Sequence, residues 1–320
     1  MSGQSLTGYL AAPDQLAEML AELGGKPELH GHLALVPGPA RPIAWAQNVW
    51  LDPRPLTIAS IADGARALRD IQRNWTLYPG KLHRRASLIA QRLPHVSAKP
   101  LKFGTPAPTA PLGAWMLLDA NTILASPHCS SPFPHGEVHF IEDRSGPPNR
   151  AYLKLWEALT LATAAGGHMP GTHMPGTHMP GPGDLCLDLG SSPGGWSWVL
   201  QKLGARVISV DKAPLDPAVA SLPGIDYRQM SAFALQPAEI GHVDWLFSDV
   251  ICYPARLLRL VETWLASGLV RNFICTLKFQ GKTDMQTAQR FAAIPGSRLT
   301  HLFHNKHELT WIRLEEQRLG

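Results

Sequence analysis

From Asp184 onward, short apolar runs alternate with longer stretches in which apolar residues return every three or four positions. DLCLDLG (184–190), RVISVDK (206–212), IDYRQM (225–230), HVDWLFSDV (242–250) and RNFICTLKF (271–279) read as strands, mostly of the continuous apolar kind that suits a sheet covered on both faces. Between them, PGGWSWVLQKLG, PARLLRLVETWLASGL (254–269) and DMQTAQRFAAI carry helical spacing. SRLTHLFHN and HELTWIRLE close the chain as a hairpin-like pair. Alternation of this kind predicts an α/β, doubly wound, Rossmann-like fold: a mostly parallel sheet of seven strands with an antiparallel edge.

The first half is patterned differently. Asp14 is placed to cap a helix whose Leu16, Met19, Leu20 and Leu23 share a face before Gly24 and Gly25 end it. HLALV from His32 and AWMLLD from Ala114 predict strands, and residues 62–74 and 84–93 predict helices. This half reads as a smaller α+β domain, residues 1–147, joined through SGPPN at 145–149 to a second domain, 148–320. Inside the second, HMPGT repeats from His168, and a Pro-Gly every five residues predicts an expanded loop over about 166–183 rather than a metal site.

Composition narrows the class. With 45% hydrophobic and 17% charged residues the chain is globular, and it contains neither an 18-residue apolar run nor a basic, apolar leader, so a cytoplasmic protein without a membrane partner is expected. Cys129, Cys186, Cys252 and Cys275 form no C-x-x-C pair, which predicts buried thiols and no metal. The net charge of +4 is mild, yet ten cations face only Asp63 and Asp70 between Arg54 and Lys102. Interleaved with Trp75, Tyr78 and His83, that stretch predicts a surface for a nucleic-acid backbone.

The strongest motif is D-L-G-S-S-P-G-G-W, at 188–196, where a strand gives way to a helix. Asp188, Gly190, Ser192, Pro193, Gly194, Gly195 and Trp196 are candidate ligand contacts, because a glycine-rich turn admits a ligand to backbone N–H groups at a helix start. Asp211 ends the next strand 21 residues after Gly190, about where doubly wound folds bind ribose hydroxyls. Neither G-x-G-x-x-G nor G-x-x-x-x-G-K-[ST] is present, so S-adenosylmethionine fits better than a dinucleotide or a nucleoside triphosphate. Ser231 stands after the third strand, where an adenine contact is expected.

In this order, DLGSSPGGWSWVL, VDK, SDV, TLKFQG and HELT resemble the FtsJ-type ribose 2′-O-methyltransferases, above all the RlmM-type bacterial branch that methylates a cytidine ribose in 23S ribosomal RNA. The resemblance covers about residues 148–316 and implies a catalytic K-D-K-E quartet at Lys154, Asp249, Lys278 and Glu308, with Asp249 also near the cofactor. It implies S-adenosylmethionine as cofactor, RNA as substrate and no obligate protein partner. The family's N-terminal part is a THUMP-type RNA-binding module, which residues 1–145 resemble loosely. Ser231 stands where the family usually has an acidic residue, and Ala151 where the RlmM-type pattern has serine.

The quartet also has a chemical logic. A ribose hydroxyl is a weak nucleophile and needs a base in line with the methyl group. A free lysine, with a pKa of about 10.4, is neutral in only about one molecule in 10³ at pH 7, so a lysine base needs a second cation, here Lys154 beside Lys278, to favour its neutral form. Cys252 is no base-attacking thiolate, since SDVIC lacks the D-x-P-C setting, and no [DNS]-P-P-[YFW] motif marks a base-amino methyltransferase. The alternatives are an inactive RNA-binding protein that keeps the fold, or an enzyme acting on transfer RNA or a message cap.

Overall fold

The computed structural model describes residues 5–164 and 179–315, so residues 165–178, which hold most of the HMPGT repeat, lie outside the described residues. The chain divides into two compact units. The division falls before Phe140, and Phe103–Thr105 also belongs to the second unit.

The first unit holds two four-stranded sheets. One takes the order β2-β3-β1-β4, from Leu6–Ala11 (β1), Glu28–His30 (β2), Leu33–Pro37 (β3) and Ala46–Trp50 (β4). The other takes the order β5-β8-β7-β6, from Arg54–Thr57 (β5), Trp75–Leu77 (β6), Gly113–Asp119 (β7) and Thr122–Ser126 (β8). Helices Leu16–Leu23 (α1), Ile61–Ile71 (α2) and His83–Ala90 (α3) complete it. Strand alternation sorts β7 between two cores: Ala114 and Met116 pack with Leu33 and Trp50, while Trp115 and Leu117 pack with Leu68 of α2 and Ile89 of α3.

Two expectations for this unit are corrected. Asp14 caps nothing: it sits in a 3₁₀ turn, Pro13–Gln15, and α1 starts without a side-chain cap. Trp75 is no stacking platform, because it is 4% exposed and its indole N–H donates to the carbonyls of Leu68 and Gln72. Tyr78 is likewise committed, its hydroxyl accepting from the His32 N–H. The charge itself is at the surface: of the ten cations from Arg54 to Lys102, all but Arg85 are exposed.

The second unit is built on one seven-stranded sheet, with strands Leu185–Leu189 (β9), Arg206–Asp211 (β10), Ile225–Gln229 (β11), Val243–Ser248 (β12), Val270–Lys278 (β13), Ser297–Thr300 (β14) and Glu308–Arg313 (β15). Their order is β11-β10-β9-β12-β13-β15-β14, parallel from β11 to β13, with β15 antiparallel to both β13 and β14. Its helices are Tyr152–Ala162 (α4), Gly195–Lys202 (α5), Pro217–Ala220 (α6), Pro237–Ile240 (α7), Pro254–Ser267 (α8) and Met285–Ala292 (α9). The doubly wound α/β class, the seven strands and the antiparallel edge are all as the apolar pattern predicts. Strand order reverses between β9 and β12, and the cleft at such a reversal is where open α/β sheets bind ligands. Among the described residues, no helix is long and apolar enough to cross a membrane.

Candidate functional site

Parallel strands end on one edge, so the residues just past them form a row. Ser231 follows β11, Asp211 ends β10, Gly190 follows β9, Asp249 follows β12, Lys278 ends β13, and Glu308 opens the reversed β15 on the same edge. Lys278 and Glu308 are register partners. With about 4.8 Å between strands, Asp211 and Asp249 stand roughly 10 Å apart across the reversal. A cleft of about 570 Å³ runs along this row, and its walls include Gly190, Ser192, Pro193, Asp211, Ser231, Asp249 and Lys278.

At one end four charges meet. The Lys154 Nζ donates to both Asp249 carboxylate oxygens, at 2.8 and 3.0 Å, and lies 3.1 Å from Glu308 Oε1. The Lys278 Nζ is 3.2 Å from Asp249 Oδ2 and also donates to the Asp249 main-chain carbonyl. Asp249 is therefore shared by both lysines, and Glu308 is engaged with Lys154. Burial alone would lower the Lys154 pKa, but the Asp249 and Glu308 carboxylates outweigh it and hold this amine above the ordinary lysine value.

Lys154 is held there by its helix. The indole of Trp196 on α5 donates to the Ala151 carbonyl at 2.9 Å, fixing the start of α4. Three residues beyond Lys154, and so on the same helix face, Glu157 is 1% exposed. It accepts from the N–H groups of Phe303 and His304 and pairs with His304 Nδ1 at 2.7 Å. That clamp ties α4 to the segment leading into Glu308. No local sequence signal marks Glu157, since its partners lie almost 150 residues away.

The glycines of the turn also let the protein pack closely on itself. A Cβ on Gly195 would stand 2.3 Å from Asn149 Oδ1, one on Gly194 2.9 Å from Val219, and one on Gly190 2.5 Å from Val250 Cα. Each glycine lets parts of the protein approach one another. Trp196 is buried, packed edge-on against Phe247. Of the motif, Gly190, Ser192 and Pro193 face the cleft, whereas Asp188, Gly194, Gly195 and Trp196 are absent from its walls. Sequence reasoning missed Asn149, Phe233, Ile251 and Arg256 on those walls. The Arg256 guanidinium lies over the Phe233 ring, 3.8 Å from its centroid, stiffening the end near Ser231.

Asp188 serves the scaffold. It is fully buried, accepts from Ser197 Oγ at 2.6 Å, and its other oxygen has no hydrogen-bond partner among the described residues. Burial, with Asp249 and Asp211 adding repulsion against the Ser197 hydrogen bond, pushes its pKa up to about 7. A carboxyl raised in the folded state adds stability in acid that is lost as pH rises from its ordinary 3.8 through about 7. Asp188→Asn is expected to lack that decline, so its Tm should gain a few degrees on the parent between pH 4 and pH 8. Parallel Tm curves for the two proteins across this range would show that Asp188 does not titrate there.

The residues fit S-adenosylmethionine. Asp211 Oδ2 accepts from the Ser192 N–H and Oδ1 from the Ala213 N–H, and each oxygen keeps a lone pair for a ribose hydroxyl. Phe233 and Val250 give apolar wall for an adenine, and Ser231 Oγ, which accepts from the Phe233 N–H, supplies a hydroxyl there.

A doubly wound unit with its cleft at the strand reversal and four charges gathered past β12, β13 and β15 has the layout of a Rossmann-like methyltransferase, and residues 148–281 match the FtsJ-like methyltransferase family. Ribosomal RNA large subunit methyltransferase M of Halorhodospira halophila is 34% identical over 170 residues, covering 51% of this chain and 46% of that protein. The protein of the same name from Methylococcus capsulatus is 31% identical over 195 residues, covering 58% and 52% respectively. The chain thus spans about half the length of the curated relatives it matches.

Proposed function

We propose that the protein transfers a methyl group from S-adenosylmethionine to a ribose 2′-hydroxyl of RNA, most specifically a cytidine of 23S ribosomal RNA, in the cytoplasm. The observation that carries this reading is the convergence of Lys154, Asp249, Lys278 and Glu308 at the cleft end farther from Asp211. The cofactor supplies an electrophilic methyl on a cationic sulfur.

Lys278 takes the hydroxyl proton. A neutral amine has two N–H bonds and one lone pair, and Asp249 offers two acceptors, its carboxylate and its main-chain carbonyl. With both N–H bonds so occupied, the lone pair turns away from Asp249 toward the hydroxyl. Asp211 holds the cofactor ribose, and the exposed cations of residues 54–102 hold RNA phosphates.

Two measurements test the reading. Incubation with labelled S-adenosylmethionine and unmodified total RNA, followed by mapping of alkali-resistant bonds, should find one ribose-methylated site. Absence of transfer, with RNA still bound, would identify an inactive RNA-binding protein instead. Asp211→Ala should weaken S-adenosylhomocysteine in calorimetry by tenfold or more, because a hydrogen bond to a charged group contributes about 1.5–3 kcal/mol. Unchanged affinity would place the ribose elsewhere.

A further inference from the structure

The link from β12 to α8 carries an unpartnered apolar surface beside the reacting end. Ile251 is 77% exposed and Tyr253 66%, the two highest values for large hydrophobic side chains among the described residues. Between and beyond them, Cys252 and Pro254 are buried, so the link alternates outward, inward, outward, inward. Its backbone is pinned: the Tyr253 carbonyl accepts from the Arg256 and Leu257 N–H groups as α8 begins. Among the described residues, the Tyr253 ring and hydroxyl have no hydrogen-bond or ring partner. Exposed apolar side chains scattered singly are ordinary. Two on one rigid link, two and four residues from Asp249, with Ile251 in the wall that also holds Lys278 and Arg256, form a directed feature.

We infer that Tyr253 and Ile251 form the platform on which the base of the methylated nucleotide stacks. The inference rests on the proposed RNA 2′-O-methylation and adds where the target base sits. A 2′-hydroxyl can reach Lys278 only when its nucleotide is splayed out of a helix, and a splayed base needs a new stacking partner. The base hangs from the same ribose as the reacting hydroxyl, so its support must lie within a few ångströms of Lys278. Arg256, on the same wall as Ile251, supplies a cation for a flanking phosphate. A flat apolar support with a single hydroxyl reads little of the base edge, so this contact tolerates any base, and sequence choice must come from elsewhere on the RNA.

The test uses the full chain and an unmodified 23S rRNA transcript. Tyr253→Ala should raise KM for the transcript about five- to hundredfold, the loss of one stacked base, with kcat changed far less and S-adenosylhomocysteine affinity unchanged. Tyr253→Phe keeps the ring and should restore the parent KM. A second readout needs no turnover: a single-stranded oligonucleotide with one 2-aminopurine should show stacking-dependent quenching with the parent and Tyr253→Phe, and none with Tyr253→Ala. An unchanged KM or unchanged quenching in Tyr253→Ala, or a Phe variant as damaged as the Ala variant, overturns the platform. If the parent itself transfers no methyl, the proposed activity fails, and the 2-aminopurine signal still decides whether Tyr253 holds a base.

Discussion

Replacing Lys278 by Arg is expected to cut methyl transfer by about 10²- to 10⁴-fold, the usual contribution of a positioned base, while S-adenosylhomocysteine binds as before. Arginine keeps the positive charge and can still pair with Asp249, so packing and cofactor electrostatics change little. What it cannot do is release a proton near neutral pH. The exposed Lys282, four residues on, is the control: Lys282→Arg should leave turnover within about twofold, as surface changes usually do. Steady-state rates and calorimetry on the same preparations separate the outcomes. Substantial turnover in Lys278→Arg would move the base elsewhere, with Lys154 next in line, although its two carboxylate partners favour its charged form.

Gly190→Ala should have the second largest effect, and on stability as much as on binding. Gly190 has φ +80°, and an added Cβ would meet backbone, 2.5 Å from Val250 Cα, where no flexible side chain can yield. Left-handed strain of about 1–3 kcal/mol and overpacking of about 1–3 kcal/mol act together, so thermal unfolding should begin several degrees lower. Relief by moving β12 away from β9 would displace Asp249 from both lysines, so turnover should fall with stability. Gly268→Ala separates the two costs, since Gly268 has φ +66° with nothing within 4 Å of the added atom. Equal Tm losses in the two variants would mean that the close approach at Val250 costs nothing.

The same residues show how far the sequence is legible. Strands β9, β10, β12 and β13 are readable because each is mostly buried and its apolar run nearly continuous, whereas the edge strand β11, with no buried residue, is readable only from its place in the alternation. In the first unit, β1, β4 and β8 escape notice, being only five or six residues long and carrying polar residues, Thr7, Asn48 and Ser126, whose burial residue type does not announce. Types and order at the quartet are visible in the chain; who holds whom is not, since Lys154 to Asp249 is a contact across 95 residues. Trp75 and Tyr78 look like stacking aromatics because composition carries no burial. Asp188 looks like a ligand contact because a motif does not say which way a carboxylate turns. Nor does the motif show what else its glycines make room for, since the atoms they approach, on Asn149, Val219 and Val250, lie elsewhere in the chain.

Glu308 opens β15, a strand inserted between β13 and the earlier β14. The walls that fit the cofactor all come from residues 149–278. During synthesis the pocket can therefore form before the quartet does, and a nascent or truncated chain ending short of β15 would present a nucleotide pocket whose Lys154 has one carboxylate instead of two.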